Sequence, residues 1–506
     1  MRARIAVTVG LVALGITAAA EASDPLAGLS VTKSCHELVQ KRMLGDAVAR
    51  LVLGQFHYAH DPAAARGVCG WSGSSAFASY ATCVQEAKKA GIAAPCLPLI
   101  VDATVVAGSY AEARRRAGTD AWELTMAVDP LRCGQEAGSR FYWLEYGFCD
   151  MKLFGPEQAR GVILWNHGIA GTQVQHAAPP ALALRLLQAR GWDVLKLNRH
   201  NLSEGADSYR RAEERVLEEI KTQRARGYRK IVIAGQSFGG RVALEVGTTS
   251  SDLFATIAMA PGMETTIGNS RTQGPTDERL RLAKSERVAV VFPGRDELFG
   301  NPDRGKTAGP ILAATGRPYL MLDERAGLSG HGGATGGNFA LRYGHCLQEF
   351  LSAPVLQAGP FACPSGDGGW TVARELLPTL PSQVRVLAGP EGLSPDLASV
   401  GGLWYGLLGE SIVLWAMVDA GGVGPSMVLA WVASGSNRGG GVYPATVEAR
   451  QLSAVLQNKA TLVVKPRDGR RLEITWTPPA VESNFSQLAR RLEPLVGELI
   501  RVDATN

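Results

Sequence analysis

Beyond residue 22 the 506-residue chain has no apolar run long enough to cross a bilayer without charges or glycines interrupting it, so no stable membrane span is expected in the mature protein. It has no CxxC pair, the spacing that zinc ribbons and thioredoxin-like redox sites use. It also lacks a strong charge excess: 52 Lys and Arg against 47 Asp and Glu leave +5. The cations are interspersed with acids rather than clustered, so nucleic acid is not an expected partner. With 46% hydrophobic and 20% charged residues the composition is that of a globular protein, neither fibrous nor disordered. The length calls for two or three domains.

The first residues, "MRARIAVTVGLVALGITAAAEASDP", carry Arg2 and Arg4, an apolar stretch from Ile5 to Ala20, and the small-x-small triplet Ala20-Glu21-Ala22. That order reads as a secretory signal peptide over residues 1–22, removed on export to the periplasm or the medium. No cysteine stands at the cleavage point, so a lipid-anchored form is not expected. Eight cysteines follow it: Cys35, Cys69, Cys83, Cys96, Cys133, Cys149, Cys346 and Cys363. An even number in an oxidising compartment reads as disulfides. Proximity in the chain suggests Cys83–Cys96, Cys133–Cys149 and Cys346–Cys363, leaving Cys35 with Cys69, although spacing cannot decide connectivity.

Three textures follow along the chain. Residues 23–115 form a Cys-bearing α+β module in which "SAFASYATCVQEAKKA" predicts a helix over 75–90, with Ala78, Ala81, Val84 and Ala87 at three-residue steps as its packing face. Its "GWS" turn before an Ala-rich helix resembles a small Cys-bearing module of exported bacterial proteins, a resemblance that implies no activity. His57 and His60 in "FHYAHD" lack a third ligand nearby in sequence, so no metal is expected there. Residues 120–363 alternate short apolar runs ("GVILWNHG", "DVLKLNRH", "KIVIAGQS", "FATIAMAPG", "VAVVFPGRDE", "PYLMLDE") with helical segments, the pattern of a doubly wound, mostly parallel α/β sheet. In one cover helix, "SYRRAEERVLEEIKTQRARGY", Val216, Leu217 and Ile220 make the buried stripe. Residues 364–400, rich in Pro, Gly and Ser, read as a linker with short helical pieces. Residues 401–506 predict short antiparallel strands in an all-β sandwich or barrel, without a catalytic constellation.

The chemistry concentrates at "KIVIAGQSFGGRVALEVG". A strand ends at Ser237 and a helix begins after it, with Gly235 and Gly239 two residues to either side. This is the G-x-S-x-G nucleophile elbow: a side chain on so sharp a turn leaves no room for a Cβ at 235 or 239, and Gly240 lets the helix approach the sheet. A serine hydroxyl needs a base, and the base needs an orienting acid. Later strand ends supply both in the order Ser, acid, His. Asp296 follows "VAVVFPGR", with Glu297, Asp323 and Glu324 as rivals; His331 lies in the glycine-rich "SGHGG", with His345 and His200 as weaker alternatives. His345 sits in an amphipathic helical pattern and His200 precedes the serine. Oxyanion donors are expected at the backbone N–H groups of Phe238, directly after the nucleophile, and Ile169 in "NHGIAGT".

Together "NHGIAGT", "GQSFGG", "GRDE" and "SGHGG" resemble the α/β-hydrolase superfamily, with the likeness nearest its dienelactone-hydrolase-like and prolyl-oligopeptidase-like branches. The resemblance implies cofactor-free hydrolysis of an ester, less readily an amide, in a small-molecule or polymer-linked substrate. The chain departs from the first branch in having Ser rather than Cys as nucleophile, and from the second in having no seven-bladed repeat upstream. A non-enzymatic alternative is a hydrolase-shaped scaffold that binds an envelope or extracellular ligand.

Overall fold

Six β-branched apolar runs form the heart of the molecule, and the alternation of their side chains shows how they are covered. A computed structural model of the chain describes residues 28–43, 52–53, 55–72, 76–101, 104–116, 142–148, 151, 153–168, 179–199, 208–262, 265–267, 270–299, 303–363, 368–378, 380, 385–388, 393, 397–419, 425–434, 437–448, 450–456, 459–479 and 493–502. The signal segment, Cys133, Cys149, Ile169 and His200 lie outside the described residues.

The N-terminal part pairs β1 (Gln55–Asp61) with β2 (Arg66–Ser72) and β3 (Leu97–Val101), and β3 with β4 (Thr104–Val105), all antiparallel. Helices α1 (Lys33–Met43), α2 (Ala76–Ala90) and α3 (Tyr110–Arg116) accompany them. Disulfides Cys35–Cys69 and Cys83–Cys96 staple this part, and Cys346–Cys363 a later one. The face of α2 differs from the alanine stripe expected above. Ala87 of that stripe is buried, as are Ser79, Tyr80 and Cys83, while Val84 is 37% exposed; the inward face carries Cys83, bonded to Cys96, and packs on Gly70 of β2. His57 is wholly buried, with Nδ1 3.0 Å from Ser79 Oγ. Among the described residues no group of three His, Cys, Asp or Glu is placed to hold a metal ion.

Among the described residues the central sheet has eight strands in the order β12-β11-β10-β9-β8-β6-β7-β5, with β5 Tyr142–Tyr146, β6 Gly161–Asn166, β7 Trp192–Arg199, β8 Ile231–Gln236, β9 Ala255–Met259, β10 Arg287–Val291, β11 Pro318–Leu322 and β12 Gly359–Pro360. All pairings are parallel except that of the edge strand β5 with β7. Strands β5 and β12 are not among the runs singled out by sequence. Val162 and Leu164 of β6 join a core with Val216, Ile220 and Val242, while Ile163 and Trp165 join another with Leu182, Leu186 and Phe339. Successive residues thus face opposite layers, as a doubly covered sheet requires. The helices concerned are α4 (Leu182–Ala189), α5 (Ser208–Arg226), α6 (Phe238–Thr249), α7 (Gly274–Leu282), α8 (Arg304–Ala314) and α9 (Gly337–Ser352). A parallel sheet wrapped in this way fits an α/β-hydrolase fold.

Among the described residues, the chain from Arg385 onward supplies ten of the eleven strands of a nearly closed antiparallel sheet, including β13 (Leu403–Leu408), β14 (Ser411–Asp419) and β15 (Pro425–Ser434). The short strand Val52–Leu53 pairs onto it at Gly440 and Gly441. Val413, Trp415 and Met417 point into its own core, with Trp404 and Leu462. Ile412 and Leu414 point the other way, into the core that contains Phe339. The turn between β13 and β14 meets the start of α9, where Gly337 N–H donates to Glu410 O at 2.7 Å. Helix α10 (Gly369–Leu376), within the expected linker, has Val372, Ala373 and Leu376 in the same core as Phe339. No helix among the described residues is long and apolar enough to cross a membrane.

Candidate active site

Ser237 stands between the last residue of β8 and the first of α6 with φ +56° and ψ −119°. That is a left-handed backbone at a non-glycine residue, a conformation that costs on the order of 1–3 kcal/mol and persists only where the surroundings enforce it. They do: Ser237 N–H donates to Met259 O at 2.9 Å, and Ser237 O accepts from Gly262 N at 3.0 Å and Arg241 N at 3.0 Å. The flanking glycines are needed for space. A Cβ on Gly239 would lie 2.8 Å from His167 O and closer still to Asn166 O, and one on Gly235 would lie 2.9 Å from Asn166 O and nearer to Gly239 O. A Cβ on Gly240 would meet Met259 O and Pro261 Cα at 3.1 Å, a tight fit rather than a collision. The strand–turn–helix joint is therefore built so that the serine alone carries a side chain at its tip.

Two further turns leave the same edge of the sheet after β10 and β11. They are tied together just past the strand ends, where Gly294 N–H donates to Leu328 O and Gly330 N–H to Gly294 O, each at 2.8 Å. This extra step of parallel pairing sets Asp296 opposite His331. Both carboxylate oxygens of Asp296 lie 3.1 Å from His331 Nδ1, and Asp296 and His331 are 3% and 9% exposed. Asp296 Oδ1 also accepts from the N–H groups of Leu298 and Phe299, each at 2.9 Å. Burial on its own pushes this carboxyl up, but the bonds from His331, Phe299 and Leu298 outweigh it and hold Asp296 below the ordinary carboxylate value. With Nδ1 bound to a carboxylate, the basic lone pair of the ring is on Nε2.

The rivals have other partners. Asp323 accepts from Arg325 N, Nε and Nη2 and caps its own short turn. Glu297 Oε2 accepts the backbone N–H of His331 at 2.9 Å instead of its ring. His345 lies within α9. Phe299 packs against the His331 ring, centroids 5.2 Å apart, and a Cβ on Gly262 would lie 2.7 Å from its Cζ. That aromatic side chain therefore stands beside both the imidazole and the turn that accompanies Ser237. The sequence reading did not single it out, since nothing local marks a phenylalanine three residues after an acid.

Ser237 and His331 come to the same edge without a hydrogen bond between Oγ and Nε2. His331 Nε2 is buried and has no hydrogen-bond partner. Gln236, the residue before Ser237, reaches the same histidine, donating from Nε2 to His331 O at 3.4 Å. Phe238 opens α6 and is 4% exposed, which puts its amide at a helix N-terminus beside the serine. His167 is buried at the end of β6, with Nδ1 2.8 Å from Gly168 O.

No protein-family model matches the sequence, and no curated protein matches it. Among solved structures the chain is similar to a sugar hydrolase from Lactococcus lactis, at 16% identity over 43% of this chain and 96% of that one with a TM-score of 0.32. It is also similar to an esterase from Pyrococcus furiosus, at 12% identity over 42% and 85% of the two chains with a TM-score of 0.28. A third is a dienelactone-hydrolase-like promiscuous phosphotriesterase from metagenomic libraries, at 16% identity over 36% and 74% with a TM-score of 0.26.

Proposed function

We propose that this chain is an exported serine hydrolase that cleaves an ester, less readily an amide, through an acyl-enzyme. The observation that carries the proposal is the enforced positive φ of Ser237 at the same sheet edge as a buried Asp296–His331 pair whose Nε2 is left without a partner. In this reading Ser237 Oγ attacks the substrate carbonyl as His331 Nε2 takes its proton. Asp296 holds the Nδ1–H tautomer and stabilises the imidazolium that forms. The N–H groups of Phe238 and Ile169 receive the oxyanion. The tetrahedral intermediate then collapses, the leaving alcohol takes the proton from His331, and Ser237 keeps the acyl group. Water, activated by the same imidazole, releases the acid and restores the hydroxyl. As Ser237 Oγ and Nε2 are not yet bonded, substrate binding must bring them together, as is common where catalytic contacts tighten only in the complex.

Export is part of the proposal. A leader over residues 1–22 is supported by its charged, apolar and small-residue order, and three disulfides suit an oxidising compartment. A fluorophosphonate probe tests the chemistry. Labelling of the wild type that is abolished in Ser237→Ala supports the mechanism; folded wild type that takes up no label refutes it and leaves a binding scaffold.

A further inference from the structure

We infer that Glu297 and Gln236 are positioning residues that lock His331 in place by its backbone, an inference that rests on the triad reading above. The turn that carries the histidine is "SGHGGAT", with Gly330 at φ +77° and two glycines following. Such a segment has little side-chain packing of its own and much conformational freedom to lose. It is held from outside. Asp296 takes the ring at Nδ1, Glu297 Oε2 takes the N–H at 2.9 Å, and Gln236 Nε2 donates to the C=O at 3.4 Å. Side chains thus reach every polar atom of His331 except Nε2, the atom that must act.

The holders come in two adjacent pairs. Gln236 precedes the nucleophile and Glu297 follows the acid, so each dipeptide contributes one proposed catalytic group and one anchor for the third. A shift of either turn then carries the imidazole with it, and the spacing of serine, acid and base stays together. Glu297 is exposed, so its side chain can be changed without opening a core. A plain turn-capping role would affect folding alone; a positioning role must show in kcat.

The test compares Glu297→Ala, Glu297→Gln and Gln236→Ala with the wild type by two measurements, turnover of p-nitrophenyl acetate and single-residue hydrogen exchange. In Glu297→Ala the His331 amide should exchange at least about tenfold faster while amides of β8 and β10 keep their protection. Its kcat should fall roughly 10- to 100-fold with KM within about twofold, as expected when a reacting group is misplaced by about 1 Å. Glu297→Gln, whose amide oxygen still accepts the bond, should recover most of both losses. Gln236→Ala should lower kcat in the same sense. Unchanged His331 exchange in Glu297→Ala overturns the inference, as does unchanged kcat in an active enzyme, or a Gln variant no better than Ala. If the wild type neither turns over ester nor takes up the probe, the catalytic reading fails separately, and the exchange result alone decides whether Glu297 anchors the turn.

Discussion

Replacing Gly239 with alanine puts the elbow under the most direct steric test. The added Cβ would lie 2.8 Å from His167 O and nearer still to Asn166 O, where real Cβ atoms keep at least 3.0 Å from their neighbours and are comfortable from 3.4 Å. Both atoms are backbone at the end of β6, in the middle of the sheet, and neither can rotate away. Either α6 or the end of β6 must therefore shift. Overpacking of this kind costs about 1–3 kcal/mol, and a displacement of about 1 Å at a catalytic turn can cost 10²-fold in rate. The matched control is Gly240→Ala, whose Cβ would sit at 3.1 Å from Met259 O and Pro261 Cα and needs a few tenths of an ångström of adjustment. Urea unfolding and ester turnover should rank the variants wild type, Gly240→Ala, Gly239→Ala, with the last losing about 1–3 kcal/mol and most of its activity. A Gly239→Ala protein with unchanged stability and rate, or a reversed ranking, would refute the reasoning about the elbow.

Asp296→Asn keeps the shape but removes the charge that fixes the Nδ1–H tautomer, so kcat should drop by about 10³–10⁴-fold in a protein that still folds, as circular dichroism would show. His57, wholly buried, has its imidazole pushed down to about 3 by loss of solvation. The unfolded chain takes up that proton at the ordinary value, so this contribution is complete above roughly pH 6.5. Stability is then lost toward pH 3 at about 1.4 kcal/mol per pH unit. Urea midpoints that do not fall with pH through this window, or a His57→Phe variant with the same slope, would contradict it. Replacing both Cys346 and Cys363 by alanine opens a 17-residue loop and should cost about 3 kcal/mol from the loop-closure entropy of the unfolded chain; an unchanged urea midpoint would count against it.

Local chemistry made much of this molecule legible. Six of the parallel strands show as apolar runs because both faces are covered, and the elbow shows as glycines two residues either side of a serine because the collision they avoid is local. The cysteine pairs seen here, Cys35–Cys69, Cys83–Cys96 and Cys346–Cys363, follow the order that proximity suggests. The antiparallel edge strand Tyr142–Tyr146 did not show, since only its neighbour β7 makes it a strand. The alanine stripe of α2 was right in part: Ala87 is buried, but Val84 is exposed, and Tyr80 and Cys83, the latter bonded to Cys96, take the inward positions.

What the sequence by itself determined was the set of groups and their order: a serine on a turn, acids after one strand, a histidine in glycines after the next. Only the tertiary structure decided which acid meets the ring. Two backbone bonds between the 294 and 330 turns put Asp296 at Nδ1, turn Glu297 to the backbone N–H, and leave Asp323 to Arg325. Side chains one residue apart are alike in composition but diverge by more than the width of a hydrogen bond, and that difference is fixed by contacts between segments far apart in the chain.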